Sequence, residues 1–363
     1  MLQPLALLAF LAVSHLGQLS AQQSSPPQQR VLGDLALVEA AFAQRNGAEA
    51  ATWQRRIRTD EQDLERSLDW LIQNARGEQA LRFVDAMNFF WIELGESQKS
   101  RERFAQVLSM PTASTPTVLR AKVLYDAGVL AFRLGDEAAS QKLNDESLAI
   151  GNQLKDKPSI ATALIGLSRI ALRHHDYATV RRDAAEALRI RQQLRDTVGE
   201  MSPIHMLAAA ARMSDENGDA RKYYELTLGV YGEQGDKSGV AGELMNLAFV
   251  HLHEHDADWA ARLFQESVSI YRELQSQEGL AWNISGYAAV AAERHQGALA
   301  ARLYGALDTA MSKLGIVLDP DDALDLDRYS DMARQQLGGV QFDAVRAEGR
   351  RMSVDEALSL GAK

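Results

Sequence analysis

From residue 81 onward the apolar positions recur at helical spacing, and the whole pattern returns every 40 residues. AKVLYDAGVLAFRLGDEAAS (121–140) comes back as ATALIGLSRIALRHHDYATV (161–180), MSPIHMLAAAARMSDENGDA (201–220), AGELMNLAFVHLHEHDADWA (241–260) and AWNISGYAAVAAERHQGALA (281–300). Aligned at that period, Leu124, Leu164, Ile204, Leu244 and Ile284 make one large apolar column. Gly128, Ser168, Ala208, Ala248 and Ala288 make a small one four residues later. A large and a small residue one turn apart let a paired helix approach closely, so each repeat is expected to be an antiparallel pair, helix A followed by helix B. Helix B carries a small column of its own at Ser140, Val180, Ala220, Ala260 and Ala300, with a packed apolar face behind it.

Between the two helices runs the column Gly95, Gly135, His175, Asp215, His255 and His295, residue types that tolerate a left-handed terminal conformation. The next column, Glu96, Asp136, Asp176, Glu216, Asp256 and Gln296, is placed to cap helix B. Asp156, Asp196, Asp236 and Ser276 mark the exit to the following unit. Units are expected at 81–116, 117–156, 157–196, 197–236, 237–276 and 277–315, preceded by a half unit in which Leu64, Leu68 and Leu71 share a helical face. Pro111, Pro116 and Pro158 fall in connections, and Pro203 after Ser202 reads as the first residue of a helix.

The ends read differently. Residues 1–21 have an apolar core from Leu5 to Val13 and no charged side chain, the pattern of a secretory signal peptide cut near Ala21, and a Gln/Ser/Pro stretch to residue 31 reads as a disordered linker. Gln3, His15 and Gln18 leave too short an apolar run for a membrane span, so no stable span is expected after signal removal. Residues 32–315 make up the array and 316–363 a helical C-terminal cap. In that cap Asp319-Pro320-Asp321 starts a helix to Leu337, and Ser353 with Glu356 forms a capping box. An exported protein is the favoured reading and a cytoplasmic one its alternative.

Charge and chemistry narrow the function classes. A net charge of -10 and the lack of any long basic run argue against nucleic-acid binding. With no cysteine there is no thiol catalysis, disulfide or cysteine-ligated zinc. His251 and His255 stand at metal-ligand spacing on a helix. The columns assign them otherwise: His255 occupies the turn column, and His251 stands where other units have Ala131 and Ala171. HExxH, GxSxG and GxxxxGK[ST] are absent, and GDKSG at 235–239 lies in an inter-repeat turn. Asp321, Asp322, Asp325 and Asp327 read as a solvated helix start. No catalytic residue, metal or cofactor is assigned.

The small positions at 128, at 140 and at Ser147, Ala187, Thr227 and Ser267 resemble the tetratricopeptide repeat, with a period longer than the usual one of about 34 residues. The longer repeat, the lead-in EAATWQRRIRTDEQDLERSLDWLIQ (49–73) and the closing ALAARLYGALDTAMSKLGIVLDP with LGGVQFDAVRAEGRRMSVDEAL (298–358) resemble the maltose-activator-like helical region of bacterial signal-transduction ATPase regulators. The ATPase and DNA-binding domains of those regulators have no counterpart here, so their activities do not carry over. The resemblance implies an all-α fold, a right-handed superhelical solenoid of tetratricopeptide-like hairpins.

In that register helix A lines the concave groove. The implied ligand-binding residues are Lys122, Tyr125 and Arg133, then Arg169 and Arg173, His205, and Met245 with Phe249. Arg82, Asp85, Phe89 and Trp282 extend the surface at its ends. Aromatic anchors among forked arginine donors suit a protein or peptide ligand, and Phe132 and Phe249 are also candidates for core packing. Two functions therefore stand: a non-enzymatic protein- or peptide-binding scaffold, serving as sensor or adaptor, and a cytoplasmic module sensing a small effector.

Overall fold

The computed structural model describes residues 26–45, 49–315 and 317–362, all of whose regular elements are helices. They fall into two compact units divided between Thr115 and Pro116. The expected signal peptide, 1–21, lies outside the described residues.

The first unit holds α1 (Pro26–Ala43), α2 (Ala50–Gln73), α3 (Gly77–Glu93), α4 (Ser97–Leu108) and a 3-10 turn at Pro111–Ala113. Helix α1 begins inside the stretch that composition assigns to a linker. It does so because Val31, Leu35, Val38 and Ala41 recur along one face and are all buried. Helix α2 buries Leu64, Leu68 and Leu71 as their spacing predicts.

The second unit is a stack of hairpins: α5 (Val118–Arg133) with α6 (Glu137–Leu154), α7 (Lys157–Arg173) with α8 (Tyr177–Leu194), α9 (Met201–Met213) with α10 (Asn217–Gln234), α11 (Lys237–His253) with α12 (Ala257–Leu274), and α13 (Gln277–Glu293) with α14 (Gly297–Leu314). The odd-numbered helices are the A helices. Three further helices follow, α15 (Pro320–Leu337), α16 (Gly339–Gly349) and α17 (Val354–Gly361).

The repeat columns map onto the core. Ser168, Ala208, Ala248 and Ala288 on A helices are buried, as are Val180, Ala220, Ala260 and Ala300 on B helices. The turn column is left-handed throughout, with φ of 75° at Gly95, 79° at Gly135, 56° at His175, 58° at Asp215, 61° at His255 and 59° at His295. Capping of helix B is selective. Asp136, Asp176 and Asp256 accept from the backbone N–H three residues on, at 3.0 to 3.1 Å, whereas Glu96, Glu216 and Gln296 make no such bond. The short aspartate side chain fits the cap geometry and the longer ones do not. Asp156, Asp236 and Ser276 cap the next A helix in the same way. Pro158 and Pro203 both lie in the first turn of a helix, where the missing N–H has no intrahelical acceptor to lose.

The segment from 317 onward is only partly a cap. Helices α16 and α17 pack on the last hairpin, and the Ser353–Glu356 capping box is formed. Helix α15 instead turns back over the A helices and packs against α13, α14, α9 and α7.

Candidate functional site

The path of residues 317–337 defines the site, because this stretch crosses the C-terminal ends of five successive A helices. The Val317 N–H donates to the Arg133 carbonyl at the end of α5, at 2.9 Å. Arg173, the last residue of α7, donates to the Leu318 carbonyl at 3.5 Å. From α9, Arg212 Nη2 reaches Asp321 Oδ2 at 2.7 Å and Asp322 Oδ1 at 3.1 Å. From α11, His253 Nε2 lies 2.5 Å from Asp325 Oδ1. Gln336 donates to the Ala292 carbonyl of α13 at 2.8 Å.

The centre of this arrangement is a buried charge cluster. The Arg212 side chain is only 1% exposed, and its Nε stands 3.5 Å from Asp325 Oδ2 while Nη1 donates to Asn246 Oδ1 at 3.0 Å. Burial opposes its charge, but Asp321, Tyr224, Asp325 and Asp322 outweigh burial and hold its pKa well above the usual value. Asp322 is affected the other way. Burial and then the charge of Asp321 push its pKa up to about 8, against the pull of Arg212, so at neutral pH it is largely protonated. The reading of Asp321, Asp322 and Asp325 as a solvated helix start is thus wrong. They lie on the face that continues through Tyr329 and Ala333, all of it buried, and Asp327 alone of the four acids is exposed.

Beside the cluster is a cavity of about 220 Å³. Arg169, His205, Met245 and Trp282, four residues that the sequence places on the inner face, meet here with Tyr231, Asn246 and the first acids of α15. His205 Nδ1 lies 3.1 Å from Glu243 Oε1. Burial works against the imidazolium, yet Glu243 outweighs it and the histidine pKa is raised. Asp319 stands at the N-cap of α15 as expected, but its side chain caps nothing and lines the cavity instead.

The other implied residues have different places. Tyr125 lies on α5 close enough to Arg169 to act on its charge. Lys122 pairs with Asp126 one turn on, at 2.9 Å. Arg133 pairs with Glu278, and Arg173 stacks over the buried Phe132 ring at 4.0 Å. Phe249 is not a groove residue: at 1% exposure it packs edge-on against Phe264, with Arg212 over its ring, because the A helix turns this position into the hairpin core. Met245 is also buried and meets the cavity only as part of its wall. Arg82, Asp85 and Phe89 belong to the first unit, where Arg82 forms a two-pronged pair with Glu39 at 2.7 and 2.8 Å and Phe89 packs edge-on against Phe90. The histidines of HLHEHD diverge, with His255 bonded to Glu293 at 2.7 Å and the His251 ring tilted against Trp259.

Column reasoning missed Arg212, although the signal was present. Its column holds Phe132, Leu172, Leu252 and Ala292, so one unit places a charge where the others place hydrocarbon. A buried charge requires a partner, and the partners had to come from outside the repeats.

No family model and no curated protein matches this sequence. Among solved structures, a Rap protein complexed with competence and sporulation factor aligns with a TM-score of 0.58 at 14% identity, covering 93% of this chain and 88% of that one. The chain has a tetratricopeptide-like helical solenoid fold. The apo form of RapI aligns over 91% of this chain and 85% of its own, at a TM-score of 0.43 and 13% identity. A putative kinesin light chain of Podosopora anserina with nearly identical tetratricopeptide-like repeats covers 54% of this chain and 96% of its own, at 0.39 and 14%.

Proposed function

We propose that the hairpin array binds a peptide or protein segment along the inner face of its A helices, beside the 317–337 segment, and acts as a non-catalytic sensor or adaptor. The observation that supports this reading is that the face already holds a length of polypeptide. Residues 317–325 are gripped across four A helices by main-chain contacts at Arg133 and Arg173 and by carboxylate contacts at Arg212 and His253. A surface that recognises both peptide groups and acidic side chains has the chemistry needed for a second segment. A Rap protein of the same fold has been solved with competence and sporulation factor bound, which fits a ligand-holding role. The maltose-activator-like sensor regions would be functional as well as structural analogues.

The test is selection of displayed peptides on the full chain followed by hydrogen exchange of the complex. Protection is expected on α5, α7, α9 and α11. Protection confined to the outer B helices would overturn the proposal. The cavity favours one second reading, capture of a small effector. That reading would be favoured if no peptide were selected while a metabolite fraction raised the melting temperature. Export is proposed separately on the apolar run Leu5–Val13, and a mature protein retaining Met1 in the cytosol would refute it.

A further inference from the structure

The wall of the 220 Å³ cavity carries donors without acceptors. Arg169 makes no hydrogen bond or ion pair with any described residue, and its Nε is buried without a partner. The Trp282 indole Nε1 is also buried without an acceptor. The acceptors nearby are largely committed: Glu243 takes bonds from His205 and Asn246, Asn246 Oδ1 takes Arg212, and Asp321 and Asp322 take Arg212 as well. Asp319 and Asp321 are the acids whose charge acts on Arg169 from beyond ion-pair distance, and both line the cavity. A guanidinium partly withdrawn from water, with its Nε buried and no counter-ion in contact, is left under-compensated unless a ligand supplies one.

We propose that this cavity is the subsite for a carboxylate of the bound ligand, with Arg169 as its principal partner and the Trp282 N–H and the His205 ring completing the donor set. The guanidinium fork matches a carboxylate in two-pronged geometry, and the Trp282 and Tyr231 rings wall the group that carries it. The proposal deepens the peptide-binding reading, from which the carboxylate would come either as a chain terminus or as an acidic side chain.

The experiment uses the full chain and two kinds of probe. N-acetylated pentapeptide libraries with free or amidated C-termini, each made with and without Asp and Glu, address the peptide. Sodium benzoate and its neutral isostere benzamide address the cavity alone. Arg169→Gln and Trp282→Phe are the variants, the second keeping an aromatic side chain while removing the N–H donor. Expected is tighter binding of carboxylate-bearing peptides, and of benzoate over benzamide, by about tenfold or more, with the preference abolished in Arg169→Gln and reduced in Trp282→Phe. Preference for free C-termini or for acidic side chains identifies the source. Peptide binding indifferent to carboxylates, with benzoate equal to benzamide, overturns the carboxylate subsite and leaves the peptide reading intact. Arg169-dependent benzoate binding without any peptide binding supports the subsite and overturns the peptide reading, and no binding of either probe overturns both.

Discussion

Arg212 and Asp321 are 109 residues apart in the chain, and Nη2 of one lies 2.7 Å from Oδ2 of the other with both side chains buried. The pair ties the fourth repeat unit to the segment that leaves the last one. Replacing Arg212 with Ala takes the cation away from the buried acids Asp321, Asp322 and Asp325, a change that costs about 3–5 kcal/mol. Chemical denaturation measures that loss. A double-mutant cycle with Asp321→Asn isolates the pair, with coupling of at least about 1 kcal/mol expected, and limited proteolysis should show residues 317–337 newly cleaved. Additive single effects and an uncut segment would mean that Arg212 does not hold α15.

Asp322 gives the cluster a pH dependence of definite sign. Its folded pKa is raised to about 8, far above the value of about 4 for an unfolded carboxylate. Between those limits the folded chain holds a proton that the unfolded chain has released, so the contribution of this group to stability is full in acid and falls as pH rises toward 8. Asp322→Asn cannot lose that proton. Its melting temperature should therefore fall less than that of the wild type between pH 5 and pH 8. Parallel pH profiles for the two proteins would refute the protonated state.

The repeat was legible because its determinants are local and are repeated. Small residues at 128, 168, 208, 248 and 288, left-handed turns from Gly95 to His295 and the aspartate caps each act within one hairpin, so alignment at 40 residues exposed them. The route of α15 was not legible by that means. Asp321 and Asp325 satisfy the rule for an acidic helix start as well as they satisfy a buried ion cluster, and only the position of Arg212 decides between the two. Phe249 failed for a related reason. Its column assigned it to the A-helix face that the tetratricopeptide register turns inward, but an aromatic ring of that size fills the space before Phe264 and under Arg212. Arg169, His205 and Trp282 were reached from the register and do converge on one cavity.

Ala260 tests the hairpin contact itself. It is fully buried in the B-helix column shared with Val180, Ala220 and Ala300, where α11 and α12 pack. Ala260→Leu adds three carbons to a close-packed contact and should destabilise by about 1–3 kcal/mol, read as a lower denaturation midpoint at unchanged m-value. An unchanged midpoint would place Ala260 outside the contact.

The end of the array depends on an approach that only glycine allows. A Cβ built on Gly349 of α16 would lie 1.9 Å from the Arg302 carbonyl oxygen of α14, and one on Gly305 would lie 1.9 Å from the Arg346 carbonyl oxygen. Both obstacles are backbone, so no rotamer change can relieve them, and the helices must separate to admit a methyl group. Separation would also strain the Arg346–Asp308 pair, whose two bonds of 2.7 and 3.0 Å span the same crossing. Gly349→Ala is therefore expected to cost at least the about 1–3 kcal/mol typical of overpacking, even though alanine is the better helix former by about 1 kcal/mol. The sign of the change decides the matter: if helix propensity prevailed and Gly349→Ala melted higher than the wild type, α16 would not be docked on α14 at this crossing. Hydrogen exchange should show the loss concentrated in α16 and α17, with the hairpins from α5 to α12 retaining their protection.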